Sequence, residues 1–401
     1  MSIWLLRKTQ IFVLSYCLLF GMIKRTQKAG VCFVAGQRIV VKLGTSTLTG
    51  GTKRLFTPRL VDLVRQVAAL HSQGNQVVVV SSGAIAAGRE ALGYPSLPSF
   101  IPAKQMLAAV GQPRLMAIYE QFFAIYHEKV AQVLLTRTDL TDRRRFLNAR
   151  NTFDALLAHK IIPIVNENDT VATEEIRFGD NDNLSAQVAN LIEADLLVLL
   201  TDQEGLFTDD PRQNPQARLI RRVEVGAIPD EIWRAAGGTH NGLGTGGMVT
   251  KLQAADLARH GGTTVYIAKG DEMDVLLRIT RGETIGTQFL PVTNKLEGRK
   301  RYILAGGNAE DEIVVDAGAC RALGRGGSLL PPGIVDVKGN FDRGDTVRVV
   351  NTVGKVIALG LVNYSAQDVR AFRGRQSSEI EGILGYTFGD EVIHRNNLVM
   401  L

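Results

Sequence analysis

Cysteine is scarce in this sequence, and the few cysteines present lie far apart. The chain has three of them among its 401 residues, Cys17, Cys32 and Cys320. Their odd number and wide spacing exclude a disulfide framework and the paired spacing of a structural zinc site. They are compatible with a reducing cytosol, so we expect a cytoplasmic protein.

A strong excess of charge of one sign is also missing. The formal net charge is +6, with 21% charged and 45% hydrophobic residues, which is typical of an ordinary globular protein. So small a surplus suits anionic ligands but is equally typical of a solvated surface. The length exceeds what one compact domain usually holds, and two domains are therefore expected.

The apolar run near the N-terminus, IFVLSYCLLFGMI (Ile11–Ile23), is too short to span a bilayer comfortably, which takes about 20 residues. It follows Arg7 and Lys8 and resembles the core of a signal peptide, but no small-x-small cleavage site comes after it. Met22 near its end could be the true start. We expect residues 1–36 to be an extension outside the fold, with no membrane association.

Short apolar runs alternate with stretches of helical period between Arg38 and about Lys269. Several runs are β-branched and apolar throughout, as in strands buried on both faces: 38–43, 76–82, 130–135, 161–165, 196–201 and 263–268. The stretches between them predict helices over 58–72, 103–128, 143–159, 183–194 and 248–260. This order predicts an α/β fold, a three-layer, mostly parallel sheet with helices on both faces, with ligands at the carboxyl ends of the strands.

After about Thr293 the pattern changes to closely spaced strand-like pieces separated by glycine, asparagine and aspartate: YILAGG, DEIVVDAGA, GIVDVKG, DTVRVVN and VIALGLVNY. Such spacing predicts a small β-rich domain. We expect four segments after the extension: a first domain over 37–293, a linker over 294–300, the β-rich domain over 301–389 and a tail over 390–401.

Polar turns follow two of the predicted strands. In VVKLGTS (40–46), Lys42 ends an apolar strand before Gly-Thr-Ser, and in VVSSGAIAAG (79–88), Ser82 and Gly83 lie between a strand and a helix of small residues. One such lysine usually points to solvent. The second turn favours a site where hydroxyl and amide donors meet an anionic group.

Asparagine and acidic residues are concentrated in PIVNENDTVATEEIRFGDNDNLSAQVA (163–189), directly after a buried strand. Turns and helix N-caps favour these residues, but capping explains only some of them. A site that binds the charged groups of an amino acid, or that orders lysines and magnesium, would use such groups. Polar residues also follow the next predicted strand, in VLLTDQEGLFTDDPR (198–212). This segment could wrap around a nucleotide or be an ordinary loop.

The run GLGTGGMVTK (Gly242–Lys251) satisfies the pattern G-x-G-x-x-G, which by itself could indicate a dinucleotide site. That fingerprint requires a strand directly before it, whereas the preceding PDEIWRAAGGTHN reads as a helix and a turn. The glycines could instead expose backbone N–H groups to a phosphate, with Lys251 one turn inside the next helix. A glycine-rich loop with a surface lysine is the alternative that this segment alone leaves open.

Six motifs occur in order along the chain: VVKLGTS, SSGAIAAGR, NENDTVAT, GDNDNLSA, LLTDQEGLFTDDPR and GLGTGGMVTKLQAA. Together they resemble the amino acid kinase family, from about Val40 to the end of the chain. The segment SLLPPGIVDVKGNFDRGDTVRV (328–349) resembles the PUA domain that many such kinases carry. Members that act on aspartate or acetylglutamate typically have a second glycine where this chain has Gly44-Thr45. The extension before about Gln37 is not part of the resemblance.

The resemblance implies ATP-dependent phosphorylation of the γ-carboxylate of L-glutamate to γ-glutamyl phosphate, the first step of proline biosynthesis. It implies catalytic roles for Lys42, Lys251 and Asp182, of which Asp182 would order the lysines. The implied substrate residues are Ser82, Asn166, Asp169 and Asn181. The implied nucleotide residues are Lys42, Thr201, Asp202, Thr245, Gly246, Gly247, Met248, Val249, Thr250 and Lys251.

The resemblance also implies partners. L-glutamate and ATP would be substrates, and Mg²⁺ would be held on the nucleotide phosphates rather than by a metal site of the protein. Homo-oligomer formation, inhibition by proline and functional coupling to glutamyl phosphate reductase are further expectations of this kind.

The residue types agree with such chemistry. A side-chain carboxylate with a pKa near ~4.3 is already ionised at neutral pH, so the reaction needs no general base and no histidine constellation. Positioning, cations and backbone donors carry the catalysis, and we expect Lys42 and Lys251 to approach the transferred phosphoryl group from opposite ends.

Two alternatives stay open at this stage. One is a related kinase acting on aspartate or acetylglutamate. The other is an RNA-binding or RNA-modification-associated protein acting through the PUA domain, whose basic segments RALGRGG, KGNFDRGD and RAFRGRQ are mixed with acids and few aromatics.

Overall fold

The apolar runs of the sequence form the strands of an eight-stranded sheet in the computed structural model, which describes residues 36–97, 100–172, 181–211, 213–237, 247–295 and 307–401. The strands are β1 (Arg38–Leu43), β2 (Gln76–Ser81), β3 (Lys129–Leu135), β4 (Ile161–Glu167), β5 (Leu196–Thr201), β6 (Arg222–Val223), β7 (Thr264–Lys269) and β8 (Thr287–Phe289). They lie in the order β3-β4-β2-β1-β5-β7-β8-β6. All neighbours are parallel except β7 and β8, so the sheet is mostly parallel, as predicted.

Helices occupy the intervals between these strands. They are α1 (Thr45–Thr49), α2 (Thr57–Ser72), α3 (Ala84–Ala91), α4 (Ile101–Ala124), α5 (Arg137–Thr141), α6 (Arg143–Ala158), α7 (Asn181–Leu191), α8 (Asp230–Ala235), α9 (Met248–His260) and α10 (Val275–Thr280). No helix within the described ranges combines the length and the apolar character needed to cross a bilayer.

Successive side chains of a strand point to opposite faces, and the two faces of this sheet carry separate cores. Val40 of β1 packs with α6, α7 and α9 on one face, whereas Val41 packs with α2, α4 and α10 on the other. Both residues are fully buried. The three-layer arrangement predicted from the sequence is therefore confirmed.

Two strands were not expected. β6 has two residues and β8 has three, too few to show a period in the sequence. β8 runs antiparallel to β7 and carries the sheet beyond the last predicted strand.

A second sheet of five strands lies in the C-terminal part of the chain. Its strands are β9 (Gly307–Val315), β10 (Ile334–Lys338), β11 (Thr346–Asn351), β12 (Val356–Leu361) and β13 (Leu398–Met400), in the order β10-β9-β11-β12-β13. The β-rich character of this part is thus confirmed. Three helices also belong to it: α11 (Ala317–Gly324), α12 (Ala366–Phe372) and α13 (Ile380–Leu384).

The piece DEIVVDAGA is only partly a strand, because Asp316 ends β9 and caps α11. Its side chain accepts a hydrogen bond from the backbone N–H of Ala319. The sequence expectation of a strand over this whole piece was wrong because the N-cap of α11 follows the last apolar residue directly.

Helix α3, which follows the Ser82-Gly83 turn, lies in backbone contact with α4. A Cβ added to Gly88 would be 1.9 Å from the carbonyl oxygen of Leu107, and one added to Gly111 would be 1.8 Å from that of Ala84. Neither distance is possible for a real side chain, so the two glycines set how closely the helices pack. The position of the turn at the end of β2 depends on this contact.

We expect Gly111→Ala to lower the free energy of unfolding by about 2 kcal/mol or more, because the added methyl group overlaps the backbone of α3. Gly382→Ala is the matched control, since Gly382 also lies in a helix but has open space around its Cβ position. That control should leave stability unchanged or raise it by up to about 1 kcal/mol. Denaturant unfolding measures both, and equal effects of the two substitutions would contradict the packing argument.

Candidate active site

A buried carboxylate joins two lysines at the carboxyl end of the sheet. Asp182 Oδ1 lies 2.5 Å from Lys42 Nζ, and Asp182 Oδ2 lies 3.2 Å from Lys251 Nζ. The side chains of Lys42 and Asp182 are 6% and 4% exposed, and that of Lys251 is 13% exposed. Thr250 Oγ1 also donates to Asp182 Oδ2, at 2.8 Å. The structure thus brings together the three residues for which the sequence predicted catalysis.

The charges around Asp182 decide its protonation. Burial alone would raise the pKa of this carboxyl, but the charges of Lys42 and Lys251 and the hydrogen bonds from Lys42 and Thr250 outweigh it. The pKa of Asp182 therefore lies below its ordinary value, and the group is a carboxylate at neutral pH.

Three elements deliver these residues to one point. Lys42 is next to last in β1, Asp182 lies in the first turn of α7, and Lys251 lies in the first turn of α9. Both helices start at the carboxyl edge of the sheet, so their unpaired N–H groups and partial positive charges add to the field of the lysines. Such a centre is suited to phosphate.

Amide side chains connect this centre to the end of β2 and β4. Asn181 Nδ2 lies within hydrogen-bonding distance of Ser82 Oγ (3.0 Å), Asn166 Oδ1 (2.9 Å) and the carbonyl oxygen of Ser81 (3.1 Å). Asn166 in turn donates to Gln112 Oε1 at 2.8 Å. Asn166 and Asn181 are 3% and 7% exposed, so their orientation is set by protein partners rather than by water.

A cavity of about 510 Å³ opens beside these amides. Its lining includes all four residues predicted to bind substrate, Ser82, Asn166, Asp169 and Asn181. Glu167 adds a second carboxylate, and Lys53 and Arg89 add cations. A cavity with hydroxyl, amide, acidic and basic groups can bind a small zwitterion.

Burial raises the pKa of Asp169 to about 6. The charged form of this carboxyl is therefore poorly solvated in the structure. A cationic group placed beside it would favour ionisation.

Thr201, one of the predicted nucleotide residues, lies on the same face of the sheet as Lys42. Lys42 is in register with Leu199 of β5, and Thr201 follows two residues later, so both side chains point to one side. Thr201 donates to the carboxylate of Asp202 at 3.0 Å. These residues extend the lysine centre along the sheet edge.

The glycine-rich segment is described from Gly247 onwards, and the predicted residues Thr245 and Gly246 lie outside the described residues. Gly247 adopts φ 80° and precedes the first helical residue, Met248. Val249 is 2% exposed and packs in the core, so only its backbone could face a ligand. The element before this segment in the described chain is α8, a helix and not a strand, which argues against a dinucleotide fingerprint.

Sequence reasoning missed two buried positioning groups. Gln112 holds Asn166, and Tyr119 hydrogen-bonds Ser81 Oγ at 2.7 Å beneath the Ser82 turn. Both lie in α4, at the spacing of its apolar residues Leu107, Ala108 and Leu115. Gln112 lies on the apolar face of α4, and a buried amide needs a hydrogen-bond partner. A glutamine among apolar positions was therefore the signal in the sequence.

Comparisons with known proteins agree with this geometry. Residues 37–269 match the model of the amino acid kinase family, and residues 311–384 match that of the PUA domain. The chain is 54% identical over 369 residues to glutamate 5-kinase from Shewanella oneidensis, covering 92% of this chain and 99% of that protein. It is 55% identical over 366 residues to glutamate 5-kinase from Vibrio campbellii, covering 91% and 96%.

Among solved structures, UMP kinase from Bacillus anthracis aligns with a TM-score of 0.44 and 18% identity, over 65% of this chain and 98% of that one. The family assignment rests on the matched models and on the curated relatives. The chain belongs to the amino acid kinase family and carries a PUA domain in its C-terminal part.

Proposed function

We propose that this protein transfers the γ-phosphoryl group of ATP to the γ-carboxylate of L-glutamate, producing γ-glutamyl phosphate and ADP in the first step of proline biosynthesis. The observation that carries the proposal is the bridging of Lys42 and Lys251 by Asp182 beside a cavity for a small zwitterion. The relatives named glutamate 5-kinase at 54% and 55% identity support the substrate.

In this mechanism a carboxylate oxygen of glutamate attacks the γ-phosphorus, a new P–O bond forms, and the bond to the β,γ-bridging oxygen breaks. The electron pair of that bond leaves with ADP. Each lysine ammonium has three N–H groups, so it can contact phosphoryl oxygens as well as Asp182. Lys42 and Lys251 then stabilise the charge that develops on the transferred group and on the leaving oxygen.

The cavity positions the acceptor. Ser82 and the N–H of Gly83, which line the cavity, would contact the γ-carboxylate, and the Asn181–Asn166 hydrogen bond would hold Ser82 in place through Asn181. Asp169, at the same cavity, would bind the α-ammonium group. Holding nucleophile and phosphoryl group in line accounts for much of the rate enhancement in such reactions.

Magnesium is the expected cofactor. The carboxylate of Asp182 already contacts Lys42, Lys251 and Thr250, and the described part of the chain contains no group of three or more His, Cys, Asp or Glu residues that could hold a metal. The nucleotide phosphates would supply the ligands of the ion. Bound there, the ion would neutralise phosphate charge.

Further expectations stay predictions. One is a domain division at 37–293, 294–300 and 301–389, with an extension over 1–36 and a tail over 390–401. The others are a cytoplasmic location, homo-oligomer formation, proline inhibition and coupling to glutamyl phosphate reductase. RNA binding by the PUA domain stays an alternative.

We expect ATP- and magnesium-dependent formation of hydroxamate from L-glutamate in the presence of hydroxylamine, which traps the acyl phosphate. Aspartate and acetylglutamate serve as the competing acceptors in parallel reactions. Glutamate should be the preferred acceptor by kcat/KM. Turnover of either competitor with none of glutamate would keep the reaction class and refute the substrate.

We expect Lys251→Met to lower kcat by about 100-fold or more, because it removes a cation from the transferred phosphoryl group. The side chain of Lys251 is partly exposed, so the fold should persist. Lys160→Met is the control, since Lys160 is exposed and precedes β4 at the opposite edge of the sheet. A near-normal kcat of the Lys251 variant at intact circular dichroism would remove the role assigned to this lysine.

The raised pKa of Asp169 predicts the response to acid. Because its pKa is about 6, the free enzyme loses this carboxylate as the pH falls through that value. We expect kcat/KM for glutamate to fall below about pH 6, whereas kcat changes less, because a bound ammonium group keeps Asp169 ionised. The Asp169→Asn variant should bind glutamate weakly, and its kcat/KM should not show this fall at acid pH. A wild-type profile that stays flat to about pH 5 would contradict the role of Asp169.

A further inference from the structure

Helix α6 contacts the C-terminal sheet domain at its first turn. Gly344, in the turn before β11, has φ +93°, and a Cβ on it would lie 2.9 Å from the backbone N and Cα of Arg144. Two residues later, Thr346 Oγ1 accepts a hydrogen bond from Arg143 Nη1 at 2.7 Å. Thr346 is 1% exposed. The turn thus rests directly on the helix backbone, with no side chain between them.

Other groups of the same domain lie near this helix. Burial lowers the pKa of Arg343, and the neighbouring charge of Arg144 lowers it further. The guanidinium of Arg343 stacks on Phe388, 3.6 Å from the ring centroid. The stacking on Phe388 fixes Arg343 within its own domain, whereas the like charges of Arg343 and Arg144 oppose the contact with α6.

Helix α6 is also joined to α7, the helix that carries Asp182 and is called the catalytic helix below. Arg150 Nη2 lies 2.7 Å from Glu193 Oε1, and the side chains are 8% and 17% exposed. Glu193 follows the last residue of α7 by two positions. Phe153 of α6 belongs to the same core cluster as Leu184 and Val188 of α7. Helix α6 is therefore bound to the C-terminal domain at its first turn, and it is joined to the α7 region through the Arg150–Glu193 pair and the core around Phe153.

We propose that the contact of Gly344 and Thr346 with the first turn of α6 positions the catalytic helix α7, and with it Asp182. The C-terminal domain thereby acts on the lysine centre through α6 and the Arg150–Glu193 pair, without contacting substrate. Close-packed interiors transmit a displacement rather than absorb it, and α6 with 16 residues is a stiff element. The kinetic test of this inference rests on the proposed kinase function.

Gly344→Ala is the decisive substitution, because its methyl group must displace the domain from α6. Gly354→Ala is the matched control: its φ of +82° imposes a similar backbone strain, but nothing lies within 4 Å of its Cβ position. We expect Gly344→Ala to lower kcat about tenfold through misplacement of Asp182. The KM for glutamate should change less, because only Asn181 of the four predicted substrate residues belongs to α7. The control should keep its kcat.

Equal kcat values for the Gly344 and Gly354 variants would overturn the proposal. So would a rise in KM for glutamate with kcat unchanged. Should the Gly344 variant fail to fold, Thr346→Val removes only the acceptor of Arg143 and should lower kcat in the same direction. A Thr346→Val enzyme with unchanged kcat would then overturn it.

A double-mutant cycle and an exchange measurement separate positioning from general loss of stability. Combined with Glu193→Gln, Gly344→Ala should have a less than additive effect on kcat, because both substitutions interrupt one connection. Additive effects would refute the connection.

Hydrogen exchange of the backbone amides of 181–191 should be faster in the Gly344 variant than in the Gly354 variant, and equal exchange rates would refute the proposal. This last readout needs no turnover, so it decides the inference even if the wild type does not phosphorylate glutamate.

Discussion

The catalytic end of this protein depends on one buried carboxylate between two ammonium groups. Lys42 of β1 and Lys251 of α9 both contact this carboxylate, and their two positive charges would repel each other in a poorly solvated site. Asp182 offsets that repulsion, and the lowered pKa of its carboxyl is the measure of it. A buried charge left without any partner is destabilising, so the meeting of β1, α7 and α9 keeps the charge of Asp182 compensated.

The parallel sheet makes this meeting possible. Neighbouring parallel strands end at the same edge, so residues far apart in sequence become neighbours in space. Ser82 after β2, Asn166 in β4 and Thr201 in β5 reach one edge for this reason. The buried amides of Asn181 and Asn166 then fix the distance between the lysine centre and the cavity. Because each amide has a protein partner, the orientation of these side chains is set by the protein itself.

Most strands and helices of the first domain could be predicted from the sequence. The limits of β1, β5 and α9 agree with the expectation, because continuous apolar runs and a regular helical period leave few alternatives. β6 and β8 could not be predicted, since strands of two or three residues form through pairing with a neighbour and not through local pattern.

The residues of the candidate site were likewise predictable only in part. The polar residues after each strand identified the sheet edge, whereas Gln112 escaped notice because its role exists only once α4 packs against β4. The inclusion of Val249 among nucleotide residues followed from its position in a motif, and only its burial shows that its side chain faces the core. Contacts between the C-terminal domain and α6 join residues about 200 positions apart, and no local pattern of the sequence encodes them.

Two aspartates of one site have opposite pKa shifts, and this contrast limits how the reaction can depend on protons. Asp182 is stabilised as a carboxylate by cations of the protein, and its contribution to folding is lost only when the pH falls through its lowered pKa. Asp169 is half-buried, and burial raises its pKa to about 6, so its ionised form is less stable than that of an exposed carboxylate. An ammonium group in the cavity would stabilise that ionised form. In the proposed mechanism, substrate binding near pH 6 would be coupled to proton release from Asp169, whereas the phosphoryl transfer itself would need no titrating group.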